Sequence, residues 1–182
     1  MLARLERCGR LRRCAPVRHS EAVTANPKIP EPTSDHVVVN ARPERLYAMV
    51  ADITRMGEWS PVCTGGHWED DTERGAGAWF VGTNATAERS WETRCLVEVA
   101  EAGVEFRFVV GGNRTRWGYR FRPVDSGTEV TESWELLSDG VASFVERFGD
   151  RAEEEIAKRV EAARAGIPET LAQLKAAAES AS

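Results

Sequence analysis

The sequence predicts an α+β domain, in which an antiparallel sheet of about seven strands has one apolar face covered by a long C-terminal helix. Three observations predict it. From Thr64 onward, apolar and polar residues alternate over about seventy residues, broken by glycine-bearing turn signals at the intervals an antiparallel meander needs. Ahead of the meander stand a short β-branched segment and two short helical ones. Behind it, apolar residues recur at three- and four-residue steps, the period of one helix face.

The composition fits one domain. The 182 residues suffice for a sizeable core, and 42% hydrophobic with 29% charged residues is ordinary for a soluble globular chain. No apolar run approaches a membrane span, so stable membrane insertion is not expected. The formal net charge is -5, yet Met1 to Ser34 holds seven Arg/Lys against three Glu, which leaves the remainder more acidic still. An acidic body argues against a nucleic-acid partner. The opening segment lacks a sustained apolar period and the apolar core of a secretory signal. It reads as a disordered basic leader over 1–34, ahead of a folded domain over 35–179, in a cytoplasmic protein. Cys8, Cys14, Cys63 and Cys95 show no CxxC spacing and read as reduced thiols. Cys63 and His67 form at most half of a metal site with no second pair nearby, so no metal and no cofactor are expected.

Taken in order, Asp35 to Asn40 is a short strand rich in valine. Pro43 opens a helix at its tolerated first position, with Leu46, Tyr47, Met49 and Val50 at helical spacing. Asp52 caps a second short helix through Met56, which Gly57 is expected to end; Trp59 and Pro61 close this insert. Gly65-Gly66 and Gly75-Ala76-Gly77 frame one strand, and Trp79 to Asn84 forms another. The register of that second strand is ambiguous, because Trp79 and Phe80 claim opposite faces. Trp91, Thr93, Cys95, Val97 and Val99 share one face of a long strand, and Val104, Phe106, Phe108 and Val110 share one face of the next.

The last two strands form a sorted ribbon from Thr115 to Leu136. Thr115, Trp117, Tyr119 and Phe121 fall on one side, with Arg114, Arg116, Arg120 and Arg122 on the other. After Asp125-Ser126-Gly127 the pattern repeats: Thr128, Val130, Trp134 and Leu136 face inward, with Glu129, Thr131, Ser133 and Glu135 opposite. Arginines facing glutamates suit a solvated surface with cross-strand charge pairs. Glu132 is the single charged residue on the inner face of this ribbon. The apolar stripe from Val141 through Phe144, Phe148, Ile156, Val160 and Ala163 supplies the covering helix, which Gly166 and Pro168 are expected to interrupt or kink before Leu171 and Leu174. The same stripe can also form a dimer seam, which leaves monomer and homodimer both open.

This order of elements, together with Ala41-Arg42-Pro43-Glu44-Arg45-Leu46-Tyr47, the run Asp52 to Pro61, Trp117 to Phe121 and Gly127 to Trp134, resembles the START-like (SRPBCC) superfamily and its polyketide cyclase/dehydrase branch. The resemblance implies a helix-grip fold: a curved antiparallel sheet wraps the C-terminal helix and leaves a hydrophobic cavity between them. It implies a hydrophobic small-molecule ligand, such as a lipid, sterol or polyketide, and in some members cyclisation, dehydration or hydrolysis inside the cavity. Such a family has no universal catalytic motif, so fold carries further than reaction.

On that fold the inner faces become cavity walls. The expected ligand-binding residues are Trp59, Asn84, Trp91, Thr93, Phe108, Trp117, Tyr119, Glu132, Trp134 and Phe144, while Phe106, Phe121, Val130 and Leu136 are assigned to packing. Desolvation is expected to raise the pKa of Glu132 and make it a neutral hydrogen-bond donor, with Thr93, Asn84 or Tyr119 as candidate partners. Three functions fit. The chain binds an apolar molecule; or Glu132 and Tyr119 transfer protons in a polyketide cyclase or dehydratase; or the Glu/Arg-rich helix from Arg147 to Arg164 serves a regulatory or toxin-antitoxin-type interaction. No histidine among His19, His36 and His67 has a nucleophile and acid placed around it, so a hydrolytic triad is not expected.

Overall fold

The structure is a computed structural model that describes residues 27–180. The leader expected over 1–34 therefore lies, through residue 26, outside the described residues. Thr33 and Ser34 already belong to the first strand, β1 (Thr33–Val39), which begins two residues ahead of the expected start.

Seven strands form one antiparallel sheet in the order β1-β7-β6-β5-β4-β3-β2. The remaining strands are β2 (Cys63–Trp68), β3 (Trp79–Ala85), β4 (Ser90–Glu101), β5 (Glu105–Val110), β6 (Thr115–Val124) and β7 (Gly127–Leu136). Strands 2 to 7 pair in sequence as a meander, and β1 closes onto β7, with Val37 opposite Val130 and Val39 opposite Thr128. The sheet curves around the C-terminal helix in the helix-grip arrangement. Its outer face is charged in the pattern the alternation predicts: Arg116 bonds Glu135 at 2.6 Å and Arg122 bonds Glu129 at 2.8 Å. Arg116 also reaches Glu98 on β4 at 2.7 Å.

Between β1 and β2 lie helix α1 (Pro43–Ala51) and a 3-10 segment, Ile53–Glu58. Pro43 opens α1 where its missing N–H costs nothing. The Asp52 side chain accepts from the Thr54 N–H, as the capping pattern predicts. Gly57, however, lies inside the second segment rather than ending it. Its value is close approach, since a Cβ there would sit 2.6 Å from the Thr64 carbonyl oxygen.

The C-terminal cover also differs from the single interrupted helix expected. It is two helices, α2 (Ser138–Phe148) and α3 (Ala152–Ser180), and the break falls at Gly149 rather than at Gly166-Pro168. Gly149 takes φ 54°, a conformation that stops a right-handed helix and suits glycine. Pro168 sits inside a continuous α3 with its ring exposed. Burial of Ile167, Leu171 and Leu174 holds the helix through it and offsets the roughly 3 kcal/mol an interior proline costs.

Two inward assignments on the meander change. A bulge between Val97 and Val99 shifts the β4–β5 register, so that Val99 pairs with outward Arg107 while Ala100 pairs with Phe106. Val104 lies in the turn before β5 and is 54% exposed. The ambiguous strand resolves cleanly: Phe80 is buried inward, while Trp79 points outward beneath the Arg94 guanidinium, 3.7 Å from its ring centre.

Candidate functional site

The inner face divides into a packed end and an open end. Toward the packed end, α1 places Tyr47 edge-on against Phe106 (6.3 Å between ring centres) and Phe121 (6.1 Å). Phe106, Phe121 and Val130 are accordingly core, as expected. Toward the open end the sheet and α3 separate and leave a cavity of about 450 Å³. A volume of that size suits a small organic molecule.

All the expected wall residues except Trp59 line this cavity: Asn84, Trp91, Thr93, Phe108, Trp117, Tyr119, Glu132, Trp134 and Phe144. Trp59 is fully buried in the core instead. It follows the 3-10 segment, which packs on β2. Leu136, assigned to packing, reaches the cavity wall. Exposed Pro61, Val62, Thr86, Arg159 and Ala162 mark the mouth, while Tyr119, Glu132 and Trp134 lie buried at depth.

Strand pairing explains the polar centre. Tyr119 on β6 stands directly opposite Glu132 on β7, and its hydroxyl donates to Glu132 Oε1 at 2.7 Å. Of the three candidate partners, Tyr119 is therefore the one in place. Asn84 and Thr93 bond each other instead, at 3.2 Å. Glu132 Oε2 is buried with no hydrogen-bond partner among the described residues. Burial pushes the Glu132 carboxyl up to about 8, against the lowering influence of the Tyr119 hydroxyl. At neutral pH it is consequently an acid with a proton to donate. Burial, then the neighbouring Glu132, push the Tyr119 hydroxyl well above the ordinary tyrosine range.

Several lining residues escape sequence reasoning. Cys63 and Cys95 both face the cavity, and burial raises both thiols, Cys95 to about 12, so neither is a ready thiolate. Cys95 was legible as inward on its strand; Cys63 sits at the start of β2, before alternation is established. No group of three or more His, Cys, Asp or Glu residues among those described could hold a metal ion. On α3, Arg159, Ala162, Gly166 and Thr170 form the cavity-facing row. They run beside the buried stripe of Ile156, Val160, Ala163 and Ile167, and the same three-and-four spacing, shifted by one position, is the signal that would have found them.

Comparison with known proteins agrees with this geometry. Residues 33–179 match the family model described as polyketide cyclase / dehydrase and lipid transport, and the chain belongs to that family. Among solved structures it is similar to the polyketide-cyclase-like protein Cgl2372 from Corynebacterium glutamicum, with 44% identity over 79% of this chain and 88% of that one, and a TM-score of 0.62. It shares its fold with the di-domain ARO/CYC protein StfQ of the steffimycin biosynthetic pathway, at 14% identity over 82% of this chain and 51% of that one (TM-score 0.61). Protein CV1439 from Chromobacterium violaceum has the same fold at 18% identity, over 82% of this chain and 99% of that one (TM-score 0.57). A search of curated proteins returned no match. Among the described residues no helix is long and apolar enough to cross a membrane.

Proposed function

We propose that this protein binds a hydrophobic small molecule in the cavity between the sheet and α3, with Glu132 as its polar anchor. The carrying observation is Glu132 Oε2, buried and without a hydrogen-bond partner among the described residues. An orphaned polar atom at depth is costly, and a ligand carbonyl or hydroxyl oxygen removes that cost by accepting a hydrogen bond from Oε2–H. Trp117 and Trp134, directly paired across β6 and β7, supply a broad apolar wall next to the Tyr119–Glu132 pair. Family membership supports the reading, since the family description includes lipid transport.

The test is direct. Native mass spectrometry of freshly purified protein should show a bound mass of lipid or polyketide size, and tryptophan fluorescence should respond to titration with fatty acids, sterols or aromatic polyketides. Silence in both measurements across the panel rejects the proposal.

A second reading, a cyclase or dehydratase, draws on the 2.7 Å contact between Tyr119 and Glu132. In it the Glu132 Oε2 proton passes to a departing hydroxyl of the substrate. The carboxylate so formed takes a proton from the adjacent carbon, a double bond forms, and water leaves. StfQ, which shares the fold, is an ARO/CYC protein of a biosynthetic pathway. Glu132→Gln keeps the side chain's shape and removes its titratable proton. Abolished turnover with retained binding favours catalysis; unchanged turnover excludes Glu132 as the acid.

A further inference from the structure

Apart from cysteine and tyrosine, the cavity lining holds two ionisable side chains, Glu132 at depth and Arg159 at the mouth. Their separation follows from how α3 lies along the sheet. Lys175 donates to the Val38 carbonyl at 2.8 Å, and Glu179 accepts from the Asn40 N–H at 2.9 Å, so α3 runs parallel to β1. Glu132 pairs with Asp35, three residues before Val38 on β1. Three strand residues span about 10 Å, which corresponds to about seven residues of helix. Glu132 is thus level with the stretch of α3 between Gly166 and Thr170, both of which line the cavity. Arg159 lies seven to eleven residues nearer the mouth, about 10 to 16 Å along the helix axis.

Arg159 is exposed and makes no hydrogen bond or ion pair with a described residue. Glu155, one turn earlier, is near enough to feel its charge, but the Glu155 carboxylate is bonded to Lys158 at 2.8 Å. Ala162, Ala163 and Gly166 line the path from Arg159 inward with small side chains, so no bulk from that row of the helix blocks the approach. On another part of the wall, the Arg89 guanidinium stacks 4.6 Å from the centre of Trp91, adding a second positive charge beside a lining ring.

We infer that the ligand is an elongated amphiphilic acid, which places a carboxylate or similar anion on Arg159 and a carbonyl or hydroxyl on Glu132 Oε2. The two polar ends are held about 10 to 16 Å apart by an apolar body lying against Phe108, Trp117 and Trp134. This rests on the binding proposal and narrows it to one ligand class. Guanidinium suits the anionic end because its fork of donors matches a carboxylate in two parallel bonds.

The test is a matched series on the full-length protein, followed by tryptophan fluorescence and calorimetry: decanol, decanoate and ω-hydroxydecanoate. Decanoate should bind roughly tenfold more tightly than decanol, the scale of one charge-assisted hydrogen-bonded contact. The ω-hydroxy acid should bind more tightly again. Arg159→Gln should erase the preference for the acid over the alcohol, and Arg159→Lys should restore part of it; the position is exposed, so neither change threatens folding. Equal affinity for decanol and decanoate, or a preference that survives Arg159→Gln, overturns the amphiphilic-acid assignment while leaving the binding proposal standing. Failure of all three compounds and of the wider sterol and polyketide panel to bind overturns both.

Discussion

The two faces of the β6–β7 ribbon are built on the same backbone and treat carboxylates in opposite ways. On the outer face, Glu129 and Glu135 each meet an arginine across the strands, and Glu98 receives two. The hydrogen bond from Arg116 leads in holding the Glu98 carboxyl below the ordinary glutamate value. On the inner face, Glu132 accepts from the Tyr119 hydroxyl and meets no cation among the described residues, and its pKa rises to about 8. Outer carboxylates are tied to arginines in a surface lattice. The inner one belongs to a cavity-lining residue, carries a raised pKa, and has a second oxygen that is buried with no partner among the described residues. A sheet that can pair its glutamates this thoroughly on one side and leaves one unpaired on the other has a site where stability is given up to polar chemistry.

The largest expected effect tests that contrast through pH. A carboxyl whose folded pKa is raised stabilises the fold most below its unfolded value and loses that contribution as pH climbs through the folded value. For Glu132 the window runs from about 4.5 to about 8, and the loss across it is on the order of 5 kcal/mol. Urea denaturation of the protein at acid, neutral and mildly alkaline pH should show this decline. Glu132→Gln should be flat over the same window and more stable than the parent above it. A parent profile that does not fall would mean that Glu132 ionises without cost.

A second contrast lies along the inner face, between its packed and open ends. Phe106 is wholly buried against Tyr47 and Phe108, so Phe106→Ala should cost about 3 to 5 kcal/mol. Trp117 lines the cavity and is only partly buried. Trp117→Ala should cost roughly half as much or less in stability, because empty space already lies beside it, yet weaken ligand binding more than Phe106→Ala does. Similar effects on both properties would erase the distinction between core and wall.

The difference between these ends also explains what could be read from the chain alone. Alternation places Trp117, Tyr119, Glu132 and Trp134 on one face, because strand side chains have no other choice once the period is set. It does not say how far a helix stands from that face. Trp59, grouped with the inner-face aromatics as a cavity wall, is instead buried in the core. The bulge at Glu98 moved Val99 outward, and no glycine or proline marks it. Arg159 was hidden for a different reason. Helical periodicity identifies the buried stripe, while a cavity exposes the neighbouring row, whose mixed character resembles an ordinary solvent face. Gly166 and Pro168 suggest a helix break in sequence, but the break falls at Gly149, where the backbone takes φ 54°.

A smaller effect addresses the hydrogen bond that Tyr119 donates to Glu132. Tyr119→Phe removes a donor that lowers the Glu132 pKa, so the alkaline loss of stability should move to higher pH. The cost at neutral pH should be about 1 to 2 kcal/mol, that of a buried hydrogen bond left half made. Carbon-13 titration of the Glu132 side chain gives the shift directly. A downward move would show that the hydroxyl favours the neutral acid rather than the carboxylate.

The smallest effect belongs to the outer face, and it completes the comparison because its sign with pH is reversed. Arg116 joins Glu98 and Glu135 on a surface that is only partly shielded from water, so Arg116→Ala should cost about 1 kcal/mol, and less in concentrated salt. Glu98 has a lowered folded pKa, so its contribution is present above the ordinary glutamate value and is lost as pH falls through the folded one. The parent and Arg116→Ala curves should therefore converge on acidification, in the range where the inner face is at its most stable. Convergence on the alkaline side instead would mean that the outer carboxylates do not hold their charge through Arg116. The two sides of the ribbon would then not differ in the way their hydrogen bonds indicate.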